Sequence, residues 1–150
     1  KALKASKEIF SLSTDIIVGY PNETEEDFLK TCEVFKECGF DMAYIFKYSP
    51  RMGTVSAELE DNVSEDEKER RNQILLEMLK KQSLDFNERL VNTSQEVLVE
   101  SKAKRGLGNL MGRTRTHRKV IFKAPEELIG KLVSVKIISA GVSAMDGVLE

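Results

Sequence analysis

Apolar and polar positions along the 150-residue chain follow two rhythms, one on each side of about residue 90. Ile16, Ile17 and Val18 form an unbroken β-branched run, the composition of a strand covered on both faces, as parallel strands under helices are. Gly19 lets backbone or ligand approach closely, and Pro21-Asn22 marks a turn. Thr24, with Asp27 three positions on, reads as an N-cap with an acidic first turn, because open N–H groups there attract oxygen and negative charge. Phe28, Cys32, Phe35 and Cys38 then recur at helical spacing as far as Gly39, which predicts a helix over Glu25 to Cys38 with glycine at C′. Asp41 to Tyr48 reads as a second strand, so the first fifty residues predict one β-α-β unit. Lys1 to Phe10 reads as the tail of a helix, as though the chain opened in mid-fold.

Ser49 to Thr54 is a loop by its Pro and Gly, and Ala57 to Asn62 stays polar without a period. Ser64 and Glu67 then predict a capping box, and Ile74, Leu75, Met78, Leu79, Gln82, Phe86 and Leu90 carry one helical stripe. A helix from Glu65 to Leu90 would run roughly 39 Å. Beyond it, Glu96–Glu100, Asn109–Thr116, Lys119–Phe122, Lys131–Ser139 and Gly147–Leu149 alternate in the manner of short strands, and closing them into a barrel removes exposed edges. The fold class is therefore α/β plus all-β: a β-α-β portion over 1–62, a connecting helix over 63–90 and a five-stranded barrel over 91–150. Two parallel strands alone are not a stable sheet, and open edges near Asp15 to Val18 favour self-association or swapping.

Hydrophobic residues make up 41% of the chain and charged ones 32%, enough for a real core in a water-facing protein. No apolar run approaches the ~20 residues of a membrane span and Lys1 to Lys7 lacks a secretory pattern, so a cytoplasmic protein without a membrane partner is expected. Cys32 and Cys38, on different faces of one predicted helix, read as reduced thiols and not as ligands of one metal. The net charge of −2 hides an asymmetry: Lys1 to Asn87 holds 12 basic and 18 acidic residues, Glu88 to Glu150 holds 11 and 7. A basic half suits a polyanionic partner.

The densest chemistry is Arg113-Thr114-Arg115-Thr116-His117-Arg118-Lys119. In an extended chain Arg113, Arg115, His117 and Lys119 share one face, with Arg118 on the other unless a turn intervenes. Lys102, Lys104 and Arg105, in a glycine-containing loop, extend this cationic stripe. Arginine meets phosphate through a planar fork of donors, and the threonines add neutral hydrogen bonds. His117, the only histidine, suits contact with a base or a phosphate. No Ser-His-Asp order, phosphate-binding loop or paired-cysteine motif is present, so no catalytic residue and no metal ligand is assigned.

Asp15-Ile-Ile-Val-Gly-Tyr-Pro-Asn-Glu-Thr24 resembles a late strand and turn of the radical S-adenosylmethionine barrel in methylthiotransferases. There a glycine stands where this chain has Asn22, a residue that also tolerates the left-handed conformation. Phe46 to Thr54, Val63 to Arg71 and Gly112-Arg-Thr-Arg-Thr116 repeat the resemblance in the family's order, and the strand-rich segment resembles the TRAM domain, a small RNA-binding barrel. The resemblance implies the end of a partial TIM-type barrel, a connecting helix and a TRAM barrel. It implies a tRNA modification: a methylthio group placed at C2 of N6-isopentenyladenosine beside the anticodon, with S-adenosylmethionine and two [4Fe–4S] clusters in the intact enzyme. Ile17, Gly19, Phe46, Lys47 and Tyr48 fall where that family cradles the cofactor. The Cys-x3-Cys-x2-Cys cluster loop is missing here, so the piece alone should be inactive, hold no cofactor and bind the anticodon stem-loop. A stand-alone RNA-binding module and a ribosomal-protein methylthiotransferase remain as alternatives. The RNA expectation requires an open cationic surface, not guanidinium groups locked in internal ion pairs.

Overall fold

The computed structural model describes residues 10–104, 106 and 108–150; the helix expected over Lys1 to Phe10 falls almost wholly outside them. The described chain divides into two compact units, Leu12–Gln82 and Ser83–Glu150.

In the first unit, strand β1 (Ser13–Val18) pairs in parallel with β2 (Met42–Lys47), Ser13 opposite Met42 and Val18 opposite Lys47. Helix α1 (Glu25–Cys38) makes the crossover. Its start is a full capping box: the Thr24 hydroxyl accepts from the Asp27 N–H at 3.2 Å, and the Asp27 carboxylate accepts from the Thr24 N–H at 3.2 Å. That hydrogen bonding, with the Thr24 hydroxyl first, holds the Asp27 carboxyl below its usual range. Gly39 ends the helix at φ 64° and donates to the Phe35 carbonyl.

Helix α2 (Glu65–Glu88) follows a single 3-10 turn at Val55–Glu58. Val18, Phe28, Phe35 and Leu75 form the buried core of this unit, with Ile16, Ala43, Ile45 and Met78 packed around them. Sheet, α1 and α2 thus meet on one face only. The expectation that β1 is covered on both faces is corrected: Ile17 is 55% exposed, because alternation sends it to the face that neither helix occupies.

Ser64 caps α2 by accepting from the Glu67 N–H, but the Glu67 carboxylate does not turn back as the capping box predicted. It binds Arg70 and Arg71 instead, at 2.6 and 2.7 Å. Arg71 is buried and reaches the Glu23 carboxylate at 2.6 Å, while that carboxylate also accepts from the Gly19 N–H at 2.6 Å. Lys68 is buried beside them, its ammonium on Asp61 at 2.7 Å and Glu65 at 3.2 Å. Burial opposes its charge, yet hydrogen bonds to the two carboxylates raise its pKa above the ordinary value. Gly19 sits at φ 71°, and a Cβ there would overlap the Lys68 methylenes. The close approach that Gly19 permits is therefore that of Lys68.

In the second unit, β3 (Ser94–Lys102), β4 (Asn109–Thr114), β5 (Lys119–Lys123), β6 (Leu132–Ala140) and β7 (Met145–Leu149) close into a barrel of order β3-β4-β5-β7-β6. All neighbours are antiparallel except β5 and β7. Val97, Val99, Leu110, Val120, Phe122, Val135, Ile137 and Met145 fill it, and Phe86 and Leu90 join that core. The helix ends at Glu88, before Leu90, because hydrogen-bonded turns and Asn92 at φ 67° redirect the chain into β3.

The Arg70 hydrogen bond, opposed in part by burial and aided by Arg71, lowers the Glu67 carboxyl to about 2. A depressed carboxyl contributes stability above its unfolded pKa and loses it as pH falls through the folded one. The advantage of the native chain over Glu67→Gln should therefore be full above about pH 4.5 and vanish towards pH 2. Denaturation followed by tyrosine fluorescence measures it, since Tyr20, Tyr44 and Tyr48 all lie in the first unit. A pH-independent difference would contradict the assignment.

Candidate nucleic-acid interface

Strand β4 stops at Thr114 and β5 starts at Lys119, so the cationic heptad is a hairpin and not an extended stripe. The turn is closed by the Thr114 N–H donating to the Arg118 carbonyl at 2.9 Å and the His117 N–H donating to the Thr114 carbonyl at 3.0 Å. His117 takes φ 59° to make the reversal, and the buried Thr114 hydroxyl accepts from the Arg118 N–H at 3.1 Å. Arg113 and Lys119 thereby become direct cross-strand partners, with Arg115 and His117 exposed at the tip.

Arg118 is the correction. Its guanidinium lies 4.5 Å from the centre of the Phe86 ring and the residue is buried, so it supports the hairpin from beneath. Lys102 pairs with Glu126 at 2.6 Å, roughly 16 Å along β3 from the residue that faces the hairpin tip. It does not join the stripe. Lys104 is exposed in the β3–β4 loop, and Arg105 lies outside the described residues. Lys123, on the same outward side of β5 as Lys119, was not among the expected residues although its alternation with Val120 and Phe122 marks it.

Two of the expected arginines, Arg113 and Arg115, are in ion pairs. Arg113 Nε lies 3.2 Å from Glu100 and its Nη1 donates to the His117 carbonyl at 3.3 Å; Arg115 Nε donates to Glu96 at 2.9 Å. Neither pair is a lock. The Arg115 side chain is 83% exposed, and pairs of this kind contribute about 0–1 kcal/mol. Lys119 and Lys123 make no ion pair among the described residues. The hairpin thus presents cations whose partners a phosphate can replace.

In the other unit, Ile17 and Phe46 are cross-strand partners on the open face of the sheet, each 55% exposed, and Tyr44 stands beside them. Tyr44 was missed, though strict alternation with Phe46 puts it there. Lys47 turns the other way, to Glu69 at 3.1 Å and Glu65 at 3.5 Å. Tyr48 is buried, donates to the Ser56 carbonyl at 2.8 Å and packs edge-on against Tyr20. With Gly19 occupied by Lys68, only Ile17 and Phe46 of the five expected cradle residues share a surface. Cys32 and Cys38 are unbridged and half-buried, and burial raises the Cys32 thiol.

Residues 88–140, which hold most of the closed five-stranded barrel and its basic hairpin, match the TRAM domain family. The likeness extends beyond that domain. Over 99% of its length the chain is similar to the tRNA-2-methylthio-N(6)-dimethylallyladenosine synthase of Opitutus terrae, at 51% identity. It is 39% identical over 149 residues to that of Yersinia pestis and 41% over 147 to that of Haemophilus influenzae. The chain spans 31% of the length of each of these relatives.

If Arg118 supports the hairpin from below, Arg118→Ala should lower the thermal stability of the barrel by about 1–3 kcal/mol. Arg113→Ala and Arg115→Ala should each stay within about 0.5–1 kcal/mol. Melting followed by far-UV circular dichroism checks this; equal losses at all three positions would return Arg118 to the surface set.

Proposed function

We propose that this chain is the carboxy-terminal part of a tRNA methylthiotransferase, whose TRAM barrel holds the anticodon stem-loop and whose β1–β2 face contributes to the S-adenosylmethionine cradle. What carries the reading is the unbroken similarity, along 99% of the chain, to proteins named for this modification. The exposed hairpin of Arg113, Arg115, His117, Lys119 and Lys123 supports the RNA part. The intact enzyme would replace the hydrogen at C2 of N6-isopentenyladenosine beside the anticodon with a methylthio group, in the cytoplasm.

The residues present fit one of the implied cofactors and not the other. Ile17, Tyr44 and Phe46 offer a flat apolar surface suited to an adenine, while Lys47, Tyr48 and Gly19 hold the sheet and α2 together behind it. S-adenosylmethionine, once bound beside a reduced cluster, supplies a carbon-centred radical. Cys32 and Cys38, six apart on α1, do not suit a [4Fe–4S] cluster, and the chain alone should bind RNA without turnover. Covering the apolar β1–β2 face and its open edges would also favour association between copies of the chain. The surplus of basic residues over Glu88 to Glu150 argues against a basic ribosomal protein as the target.

Fluorescence anisotropy with an anticodon stem-loop RNA tests the interface. A contact with ~4 phosphates gives a log–log salt slope of about −3. The double variant Arg113→Ala, Arg115→Ala should weaken binding and flatten that slope by about 1 or more with circular dichroism unchanged. Unaltered binding, or a flat salt response of the native chain, would refute the reading.

A further inference from the structure

The outer surface of the barrel carries more than cations. Strand pairing sets Leu132 of β6 opposite Leu98 of β3, Leu98 opposite Arg113 of β4, and Arg113 opposite Lys119 of β5. All four point away from the filled interior, so they form one continuous row across four strands, apolar at one end and cationic at the other. Leu98 is 44% exposed and Leu132 61%, and as cross-strand partners they form one adjoining apolar patch outside a core that other residues fill. Next to this pair a depression of about 250 Å³ opens between Glu96, Leu132, Val133 and Ser134. One Glu96 oxygen accepts from Arg115, while the other meets no partner among the described residues.

We propose that Leu98 and Leu132, walled by Glu96 and Ser134, dock an unpaired nucleobase of the RNA whose phosphates meet Arg113 and Lys119. The proposal rests on the RNA reading above and adds to it a contact that distinguishes a loop from a duplex. The apolar pair and the cationic pair are centred roughly 10 Å apart, two strand spacings, within reach of neighbouring nucleotides of one strand. An RNA loop offers what this row complements: a base face for the leucines, a phosphate for the cations and N–H groups on the base edge for the open Glu96 oxygen. A protein partner of matching chemistry would need an acidic segment beside a small apolar one, and nothing in the barrel's shape selects for that.

The test uses the full chain, a hairpin RNA with an unpaired loop, and a blunt duplex of the same stem. Leu98→Ala, Leu132→Ala together should weaken loop-RNA binding about fivefold, the low end for loss of one base contact, at an unchanged salt slope and unchanged duplex affinity. Both leucines are exposed, so circular dichroism should stay native. Native-like loop binding in this variant, with loss in the Arg113→Ala, Arg115→Ala variant, would overturn the base-docking proposal alone. An equal loss on loop and duplex would overturn it too, since the contact would then be to shape or backbone. Unchanged binding in both variants would remove the RNA reading and this inference with it.

Discussion

Closure of the five-stranded ring is the constraint on which the candidate interface depends. Because β3 pairs with both β4 and β6, and β7 with β5 and β6, every second side chain of each strand is committed to the filled interior. The alternate residues are left on the outside in a register that the ring itself defines. Arg113, Lys119, Leu98 and Leu132 become neighbours only through that register, since they come from four strands. The hairpin tip is held in the same way from within: Thr114 binds the Arg118 N–H, and the Arg118 guanidinium rests on Phe86. One arginine of the heptad is spent as support so that its neighbours can face outward.

The first unit solves a different problem. A two-stranded parallel sheet has little stability of its own, and here two helices cover one face of it while a charged network ties the β1–α1 turn to α2. Glu23 is central to that network, accepting from the Gly19 N–H and from the buried Arg71. Removing one partner of a buried pair leaves an uncompensated charge, so such a network keeps its geometry. The sheet is left with one apolar face open, where Ile17, Tyr44 and Phe46 lie side by side. That face is the part of the unit with chemistry still to be satisfied.

Much of this was legible in the residues. The Thr24–Asp27 box and Gly39 bound α1 at the residues expected, because both ends are set by local hydrogen bonds and local φ. Alternation marked the barrel strands for a different reason: one filled interior imposes period two on every strand around it. What escaped were features that join distant positions. The reversal over Arg115–Arg118 carries neither Gly nor Pro, and His117 supplies the left-handed residue that usually advertises a turn. Burial of Arg118 depends on Phe86 of another element, the Glu96 and Glu100 pairs depend on β3–β4 register, and the Glu23–Arg71 bond spans 48 residues. Ile17 misled because a β-branched run specifies a strand without specifying how many of its faces are covered.

The central claim is that RNA lies on the hairpin side of the barrel. Ultraviolet cross-linking of the full chain to an anticodon stem-loop, with the joined peptides identified by mass spectrometry, addresses it directly. The account predicts adducts on the segment from Arg113 to Lys123 and on the adjoining outer face of β3. Adducts confined to the outer faces of β6 and β7, with none on that segment or on β3, would contradict it.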